Sequence, residues 1–260
     1  MRLRGIVAKS RELRLGGHLL LLVASVLLVA SCWHEDRDAP SEDEPVTTTQ
    51  APGTTRGTET TVTRSGEVRE GSGTARTETR PVTRFSRVTV LSSADVRVRV
   101  GDEPAVAVTA DDNLLELVTT EVVDGALVIG TRGSYSTRIG IKVDVVAPLL
   151  EAVELRGSGQ VTAEGVRGTR FDVSIGGSGD VRASGTADAV EVEVSGSGDA
   201  RLFDLAGRTV RVTVEGSGDV EVTASEKLDV SVRGSGSVVY AGGPRAVASA
   251  VTGSGEVRPR

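Results

Sequence analysis

Apolar and polar residues alternate through residues 151–260, and the alternation recurs with a nearly constant step along the chain. Each long segment carries apolar residues at every second position, as at Phe171, Val173 and Ile175. A shorter apolar pair follows each long segment, as at Val181 and Ala183. A period of two places the apolar side chains on one face of a β-strand. The pattern therefore predicts a series of β-strands, each with one buried and one exposed face.

A Gly-Ser-Gly tripeptide separates each long segment from the following short one and occurs six times in this region. Successive copies start 18 to 20 residues apart. A period near twenty residues is typical of a solenoid, in which one repeat buries its apolar face only by stacking on the next. We therefore predict an all-β fold, a single-stranded parallel β-helix (β-solenoid) with coils of about 19 residues.

The glycines of these tripeptides are the predicted corners of the coils. A sharp turn between two strands requires a positive φ or leaves no room for a side chain, and glycine meets both conditions. Glycine-rich loops also cradle phosphate, but no copy here opens a helix with the spacing that such loops need. The twelve corner positions are Gly157, Gly159, Gly177, Gly179, Gly196, Gly198, Gly216, Gly218, Gly234, Gly236, Gly253 and Gly255.

Residues 1–31 are typical of a bacterial lipoprotein signal peptide. Basic residues precede an apolar run over residues 19–29, which is shorter than the roughly 20 apolar residues of a membrane-spanning helix. Small residues stand directly before Cys32, as in the lipobox of bacterial lipoproteins. We therefore predict a lipid, with palmitate among its acyl chains, on Cys32. Because Trp33 follows rather than an aspartate, we expect the outer membrane where the envelope has two membranes.

The rest of the chain divides into a tether and a folded domain. Residues 32–80 hold the lipidated cysteine and a stretch rich in Thr, Pro and acidic residues, with few large apolar residues. Such a segment buries too little surface to offset its ordering entropy, so we predict that it is disordered. The β-helix domain is predicted over residues 81–260, with irregular coils at 81–150 and regular coils at 151–260.

Composition excludes several classes of function. Loss of residues 1–31 removes five basic residues and one acid and changes the formal net charge from -6 to -10. An acidic chain without a basic stripe is a poor nucleic-acid binder. Cys32 is the single cysteine, so no disulfide is expected. His18 and His34 are the two histidines, so the folded domain has none for a catalytic triad or a zinc site.

An acidic column is the one candidate metal site in the regular coils. Asp180, Asp199 and Asp219 each follow a corner and should stack on one another at the coil spacing of about 4.8 Å. Calcium prefers such carboxylate ligands, so we keep these residues as weak candidates for calcium and expect no other cofactor. Arg182 and Arg201 lie two residues after an aspartate on the same face and are expected to neutralise the column instead.

Further motifs resemble a known family. They are Phe85-x-x-Val88-x-Val90, Asp111-Asp112-Asn113-Leu114, Asp124-Gly125-x-Leu127, Ala147-Pro148-x-Leu150, the repeated Gly-Ser-Gly-Asp-Val, and a final Gly234-Ser235-Gly236-Ser237-Val238-Val239-Tyr240-x-Gly242-x-Pro244. This pattern resembles the head GIN domain family, described as auto-transporter adhesin heads, over about residues 71–260. The resemblance implies a β-helix of pectin-lyase-like or acyltransferase-like appearance that lacks the catalytic residues of those enzymes. It implies adhesion and supplies no binding residues.

We predict a non-catalytic, lipid-anchored protein of the cell envelope, held outside the cytoplasm by the lipid on Cys32. Its expected partners are a polysaccharide or a surface protein bound along the β-helix wall, while its oligomeric state is left open. One alternative is a polysaccharide-acting lyase, in which Arg182 or Arg201 acts as base beside Asp180 and Asp199. The other alternative is a purely structural or signalling role in the envelope.

Overall fold

The computed structural model describes residues 68–260 and shows a domain built almost wholly of β-strands. Within these residues, the helical structure is limited to a single 3-10 turn, Leu115–Leu117. None of the helices in this described part is long and apolar enough to cross a membrane. The predicted signal peptide, Cys32 and the tether up to residue 67 lie outside the described residues.

Seventeen strands follow one another along the described chain, because apolar and polar positions alternate in most of its segments. Before the regular coils, the strands are Arg69–Glu70 (β1), Ala75–Arg80 (β2), Arg87–Val90 (β3), Asp95–Val100 (β4), Ala105–Asp111 (β5), Val118–Val123 (β6), Ala126–Thr131 (β7), Tyr135–Ser136 (β8) and Lys142–Ala147 (β9). The remaining strands are Ala152–Leu155 (β10), Gln160–Ile175 (β11), Asp180–Gly196 (β12), Ala200–Gly216 (β13), Val220–Gly234 (β14), Ser237–Ala241 (β15), Ala246–Gly253 (β16) and Glu256–Pro259 (β17).

The strands from β10 onward stack in parallel and confirm the predicted β-solenoid, which has about five turns. Equivalent residues of successive coils lie side by side: Val173 pairs with Val192, and Val192 pairs with Val212. Residues that are one repeat apart in the sequence are therefore paired between neighbouring strands of the sheet. Since each residue has its equivalent as a neighbour, the side chains form columns that run along the solenoid.

Each regular coil from β11 to β14 is one long strand that bends in its middle. The bend is a register shift between neighbouring coils, for example between Ala163 and Val166 of β11. Gly185 lies at the equivalent bend of β12 with a φ of 134°, and a Cβ there would stand 2.1 Å from the carbonyl oxygen of Val166. The bend is a second corner of the coil, which the Gly-Ser-Gly period does not predict.

The Gly-Ser-Gly corners need glycine for two different reasons. The first glycine of a later tripeptide adopts a positive φ, as at Gly216 with 137°. The second glycine has no space for a side chain: a Cβ on Gly198 would lie 2.2 Å from the carbonyl oxygen of Gly179 in the preceding coil. The serine between them, such as Ser197, points to solvent. A side chain at the second glycine would therefore clash with the backbone of the preceding coil.

The core is a continuous set of apolar ladders inside the coils. Val181 pairs with Ala200 and Leu202 pairs with Val222, and all four side chains are buried. Small and large residues thus share the narrow interior, as close packing requires. The core extends from Phe85 through the regular coils.

Antiparallel strands cover the edges of the N-terminal coil. β3, β4, β7 and β9 continue the parallel stacking of the solenoid. The edge of β7 pairs with β6 in a hairpin whose turn is Asp124 and Gly125, both with positive φ. The edge of β9 pairs with β5, and β5 pairs with β2. This end of the sheet therefore departs from the coil pattern predicted for residues 81–150.

The predicted boundary between tether and domain at residue 81 is too late. Residues 75–80, assigned to the disordered tether, form β2, which pairs with β5 along six residues from Ala75 to Arg80. The strand has no large apolar residue, so composition gives no sign of it. Its order comes from backbone hydrogen bonds to an edge that is already folded, a contribution that composition does not reveal.

Candidate binding surface

The predicted aspartate column is present and satisfies backbone groups of the corners. The Oδ1 atom of Asp199 accepts a hydrogen bond from the backbone N–H of Asp219, at 3.1 Å. The Oδ1 atom of Asp219 accepts one from the N–H of Ser237, at 2.9 Å. Each carboxylate therefore supports the corner of the next coil, where the chain turns away from the sheet. The aspartate after Gly-Ser-Gly thus has a structural role, the acceptance of a backbone hydrogen bond from the next coil, which the sequence did not indicate.

Arg201 forms ion pairs with the aspartate column, whereas Arg182 does not. One guanidinium nitrogen of Arg201 donates to Asp180 at 2.8 Å, and another donates to Asp199 at 2.9 Å. The hydrogen bond to Asp180 is the largest cause that raises the pKa of Arg201 above its ordinary value. Arg182 pairs in register with Arg201, yet it forms no ion pair with any described residue. The guanidinium of Arg182, one of the two arginines predicted to neutralise the column, therefore has no ion-pair partner among the described residues.

These residues lie on the short wall, which we define as the outward face of residues 160–164, 180–184, 199–203 and 219–223. A shallow groove of about 480 Å³ crosses this wall. Arg182, Arg201 and Phe203 line it, and the guanidinium of Arg260 lies 4.6 Å from the centre of the Phe203 ring. The acidic side chains of the groove are Glu164, Asp204 and Glu221. The short wall therefore combines cations, an aromatic ring and carboxylates in one open groove.

The second outer surface is the long wall, the outward face of the segments that precede each corner, and most of its charges are paired with one another. Arg170 donates to Asp172 at 2.8 Å and to Glu191 at 2.6 Å in the next coil. The bond to Asp172 is the largest cause that raises the pKa of Arg170. Lys227 contacts Asp229 at 2.7 Å. Because these charges are half-exposed and paired, the long wall offers fewer free groups to a ligand than the short wall does.

A buried carboxylate, Asp111, is the polar centre that the sequence analysis missed. Its side chain is fully buried and accepts hydrogen bonds from the backbone N–H of Gly73 at 2.6 Å and from the Thr137 hydroxyl at 2.5 Å. The Thr137 bond is the largest cause that lowers the pKa of Asp111. Asn113 also holds this segment, accepting from the N–H of Ser72 and donating to the carbonyl of Glu70. The Asp-Asp-Asn motif therefore fastens the start of the domain.

One sequence signal could have revealed this contact. Gly71, Ser72 and Gly73 form a further Gly-Ser-Gly tripeptide that lies outside the regular period. A Cβ on Gly71 would stand 2.6 Å from the Cγ atom of Asp111, so glycine is required here by the carboxylate rather than by a coil corner. An isolated copy of a repeated motif indicates a separate structural role.

Residues 68–260 contain no histidine and no cysteine. Among the same residues there is no group of three or more acidic side chains placed to hold a metal ion. In the aspartate column, the backbone of the next coil and Arg201 occupy oxygens of the candidate ligands Asp180, Asp199 and Asp219. These three carboxylates are thus hydrogen-bonded to the protein itself.

The class of protein that these features define is a parallel β-solenoid with small glycine corners and charged outer walls. The chain belongs to the family described as "Putative auto-transporter adhesin, head GIN domain", whose model matches residues 84–244. Membership in a family of adhesin heads indicates a surface or envelope protein. No curated protein matches the chain.

Two solved structures share the fold. One, described as a "putative adhesin" from Bacteroides fragilis, has a TM-score of 0.62 and 22% identity and covers 74% of this chain and 99% of that chain. Another, described as a "putative lipid binding protein" from Parabacteroides distasonis, has a TM-score of 0.52 and 23% identity and covers 75% of this chain and 100% of that chain. At these identities the similarity establishes the fold alone.

Proposed function

We propose that this protein is a non-catalytic, lipid-anchored adhesin of the cell envelope that binds a polymer along the short wall. The observation that carries the proposal is the free guanidinium of Arg182 in an open groove beside Phe203 and Arg260. Membership in a family of adhesin heads supports the same function. The name of one structural neighbour suggests lipid binding for that protein, but the groove described here is open and is lined by several charged side chains.

The groove fits an acidic polysaccharide better than it fits a neutral one. A guanidinium binds a carboxylate through two parallel hydrogen bonds, and the guanidinium of Arg182 lines the groove without an ion-pair partner among the described residues. The carboxylates that also line the groove, Glu164, Asp204 and Glu221, are acceptors for sugar hydroxyl groups. Since the coils stack without interruption, the wall can contact several units of one polymer, and many weak contacts then add to a useful avidity.

The lyase alternative has less support from the geometry. A base in that reaction must first lose a proton, and the raised pKa of Arg201 opposes this loss. Asp180 and Asp199, the carboxylates named for the same reaction, accept hydrogen bonds from Arg201. Arg182 is the remaining arginine, and it has no hydrogen-bonded partner among the described residues to orient it. The site thus lacks a base with a positioning group.

The proposed function is tested with the soluble fragment 33–260, which retains all described strands and the core but not Cys32. The fragment is incubated with acidic and neutral polysaccharides and with envelope proteins, with and without calcium, and both retention and released products are measured. We expect retention on acidic polysaccharides without released product. Product that disappears in an Asp199→Ala variant would establish the lyase alternative instead.

The lipid anchor is tested separately in the full chain. We expect Cys32→Ser to abolish labelling with radioactive palmitate and to move the protein from the membrane fraction to the soluble fraction. A second variant, Ser31→Ala, keeps both the cysteine and a small residue before it, and serves as the control for a substitution at this position. Labelling that persists in Cys32→Ser would show that Cys32 is not the attachment site.

A further inference from the structure

The last coil of the solenoid has an open edge. β16 pairs with β14 along one side, and no other described strand pairs with its second side. All eight residues of β16 are exposed. Val247 and Val251 are 44% and 42% exposed, although they align with Leu228 and Val232, which are buried in the coil below. The apolar interior of the solenoid therefore reaches solvent at this end.

β16 carries no charge, which is unusual for a free edge. Its sequence is Ala-Val-Ala-Ser-Ala-Val-Thr-Gly, whereas the aligned residues of β14 include Lys227, Asp229 and Arg233. Free edges are normally protected from pairing by charges, by proline or by short length. At the opposite end of the solenoid the edge strand β2 follows that rule with Arg76 and Glu78. Because β16 has no protecting charge, its free edge can form backbone hydrogen bonds with a strand of another chain.

Five residues of β16 read the same in both directions about Ser249. The five residues are Val247, Ala248, Ser249, Ala250 and Val251. If β16 pairs antiparallel with β16 of a second copy about Ser249, each Val247 lies opposite Val251 of the other copy. Each Ala248 likewise lies opposite Ala250, and the two serines lie opposite each other. The inward-facing valines thus meet valines, which is the cross-strand pairing that stabilises antiparallel sheets.

The charges of the neighbouring edge strand β17 also favour an antiparallel copy over a parallel one. Its sequence is Glu256, Val257, Arg258 and Pro259. Antiparallel pairing of β17 with its own copy about Val257 places Glu256 opposite Arg258, so unlike charges meet. Pairing in register with a parallel copy would place like charges opposite each other, which is unfavourable.

We propose that the open end coil, β16 with β17, binds the same coil of a second copy, with β16 antiparallel to β16. The contact uses the same surface on both chains, so it is a closed two-fold interface that yields a dimer. Head-to-tail stacking into a fibre would instead need the N-terminal end, whose edges carry β2 with Arg76 and Glu78 and β6 with Glu121. The two ends therefore favour a dimer and oppose a fibre.

The test measures the molecular mass of fragment 33–260 by sedimentation equilibrium over a range of concentrations. Two matched double variants carry substitutions at the same two positions of β16. Ala248→Lys with Ala250→Lys places like charges opposite each other in the proposed register. Ala248→Glu with Ala250→Lys places unlike charges opposite each other, so both variants share the presence of two charged side chains on β16.

We expect the wild-type mass to double as concentration rises. The double-lysine variant should weaken dimerisation at least tenfold, while the glutamate–lysine variant should dimerise at least as well as the wild type. A wild type that stays monomeric would overturn the proposal. Protection of β16 from hydrogen exchange in that monomer would show that residues 33–67 cover the strand instead of a second copy. Equal dimerisation of both variants, or masses that grow beyond the dimer, would overturn it as well.

Discussion

Single residues control how closely the coils approach one another. At the corners, a carbonyl oxygen of one coil occupies the place that a side chain of the next coil would need. Gly198 shows this for steric reasons alone, because a Cβ there would lie 2.2 Å from the oxygen of Gly179. Backbone atoms cannot rotate away as the end of a flexible side chain can. A single methyl group is therefore costly at such a position.

Gly198→Ala should lower the free energy of unfolding by about 2 kcal/mol, the usual range for overpacking a well-packed site. Gly176→Ala is the matched control, because its Cβ would meet the Arg156 side chain at 3.7 Å, an ordinary contact distance. Urea unfolding of both variants measures the difference. Equal stability of the two variants would contradict the close approach of the corners.

A second single-residue effect is the pH dependence caused by Asp111. Because the pKa of Asp111 is lowered on folding, its ionised form stabilises the fold above the unfolded pKa of about 3.9. That contribution is lost as the pH falls through the lower folded pKa. Thr137→Val removes the hydroxyl that contributes most to the shift.

Thr137→Val should therefore destabilise the domain at neutral pH, and its difference from the wild type should shrink below about pH 4. Urea unfolding at several pH values measures this difference. Thr77→Val, at an exposed position on β2, is the control and should change stability little at any pH. A Thr137→Val effect that stays constant from neutral to acidic pH would argue against the role given to Asp111.

At the scale of elements, the column of aspartates links one coil to the next. Asp199→Ala removes the acceptor for the backbone N–H of Asp219 and one partner of Arg201. We expect a loss of about 0.5–1.5 kcal/mol, as for a typical hydrogen bond. Asp199→Asn keeps an acceptor oxygen and should lose less. Thermal unfolding measures both variants.

The same experiment distinguishes a structural column from a calcium site. If the column is structural, calcium chloride and a chelator should leave the wild-type melting temperature unchanged within error. A calcium-dependent rise that is absent in Asp199→Ala would identify the column as a metal site, because a ligand that binds the native state raises its stability.

The strands could be predicted wherever apolar and polar residues alternate regularly. Elements that are held by backbone pairing or by a register shift could not be predicted. Phe171, Val173 and Ile175 predict their strand because alternation reports burial directly. The bulge near Gly185 and the strand β2 were missed, since a register shift and backbone pairing leave no apolar pattern. The unpaired cation in the groove on the short wall was not predictable either. Both Arg182 and Arg201 follow an aspartate by two residues, and only the structure shows that the aspartates bind Arg201.

At the scale of the whole molecule, the two ends and the two walls have different roles. The N-terminal coil is covered by antiparallel strands, whereas the C-terminal coil is open, and the dimer proposed above would use that open end. The long wall has paired charges, and the short wall has a groove with the unpaired Arg182. The short wall is therefore the proposed ligand-binding surface, and the long wall is the proposed scaffold.

The most direct test of this assignment compares two charge reversals in fragment 33–260. Arg182→Glu changes the groove, and Arg167→Glu changes an exposed arginine outside it with the same change of net charge. The affinity of each variant for an acidic polysaccharide that retains the wild type is measured by equilibrium binding. We expect Arg182→Glu to weaken binding at least tenfold and Arg167→Glu to change it less than twofold. Equal effects of the two substitutions would contradict the short wall as the binding surface.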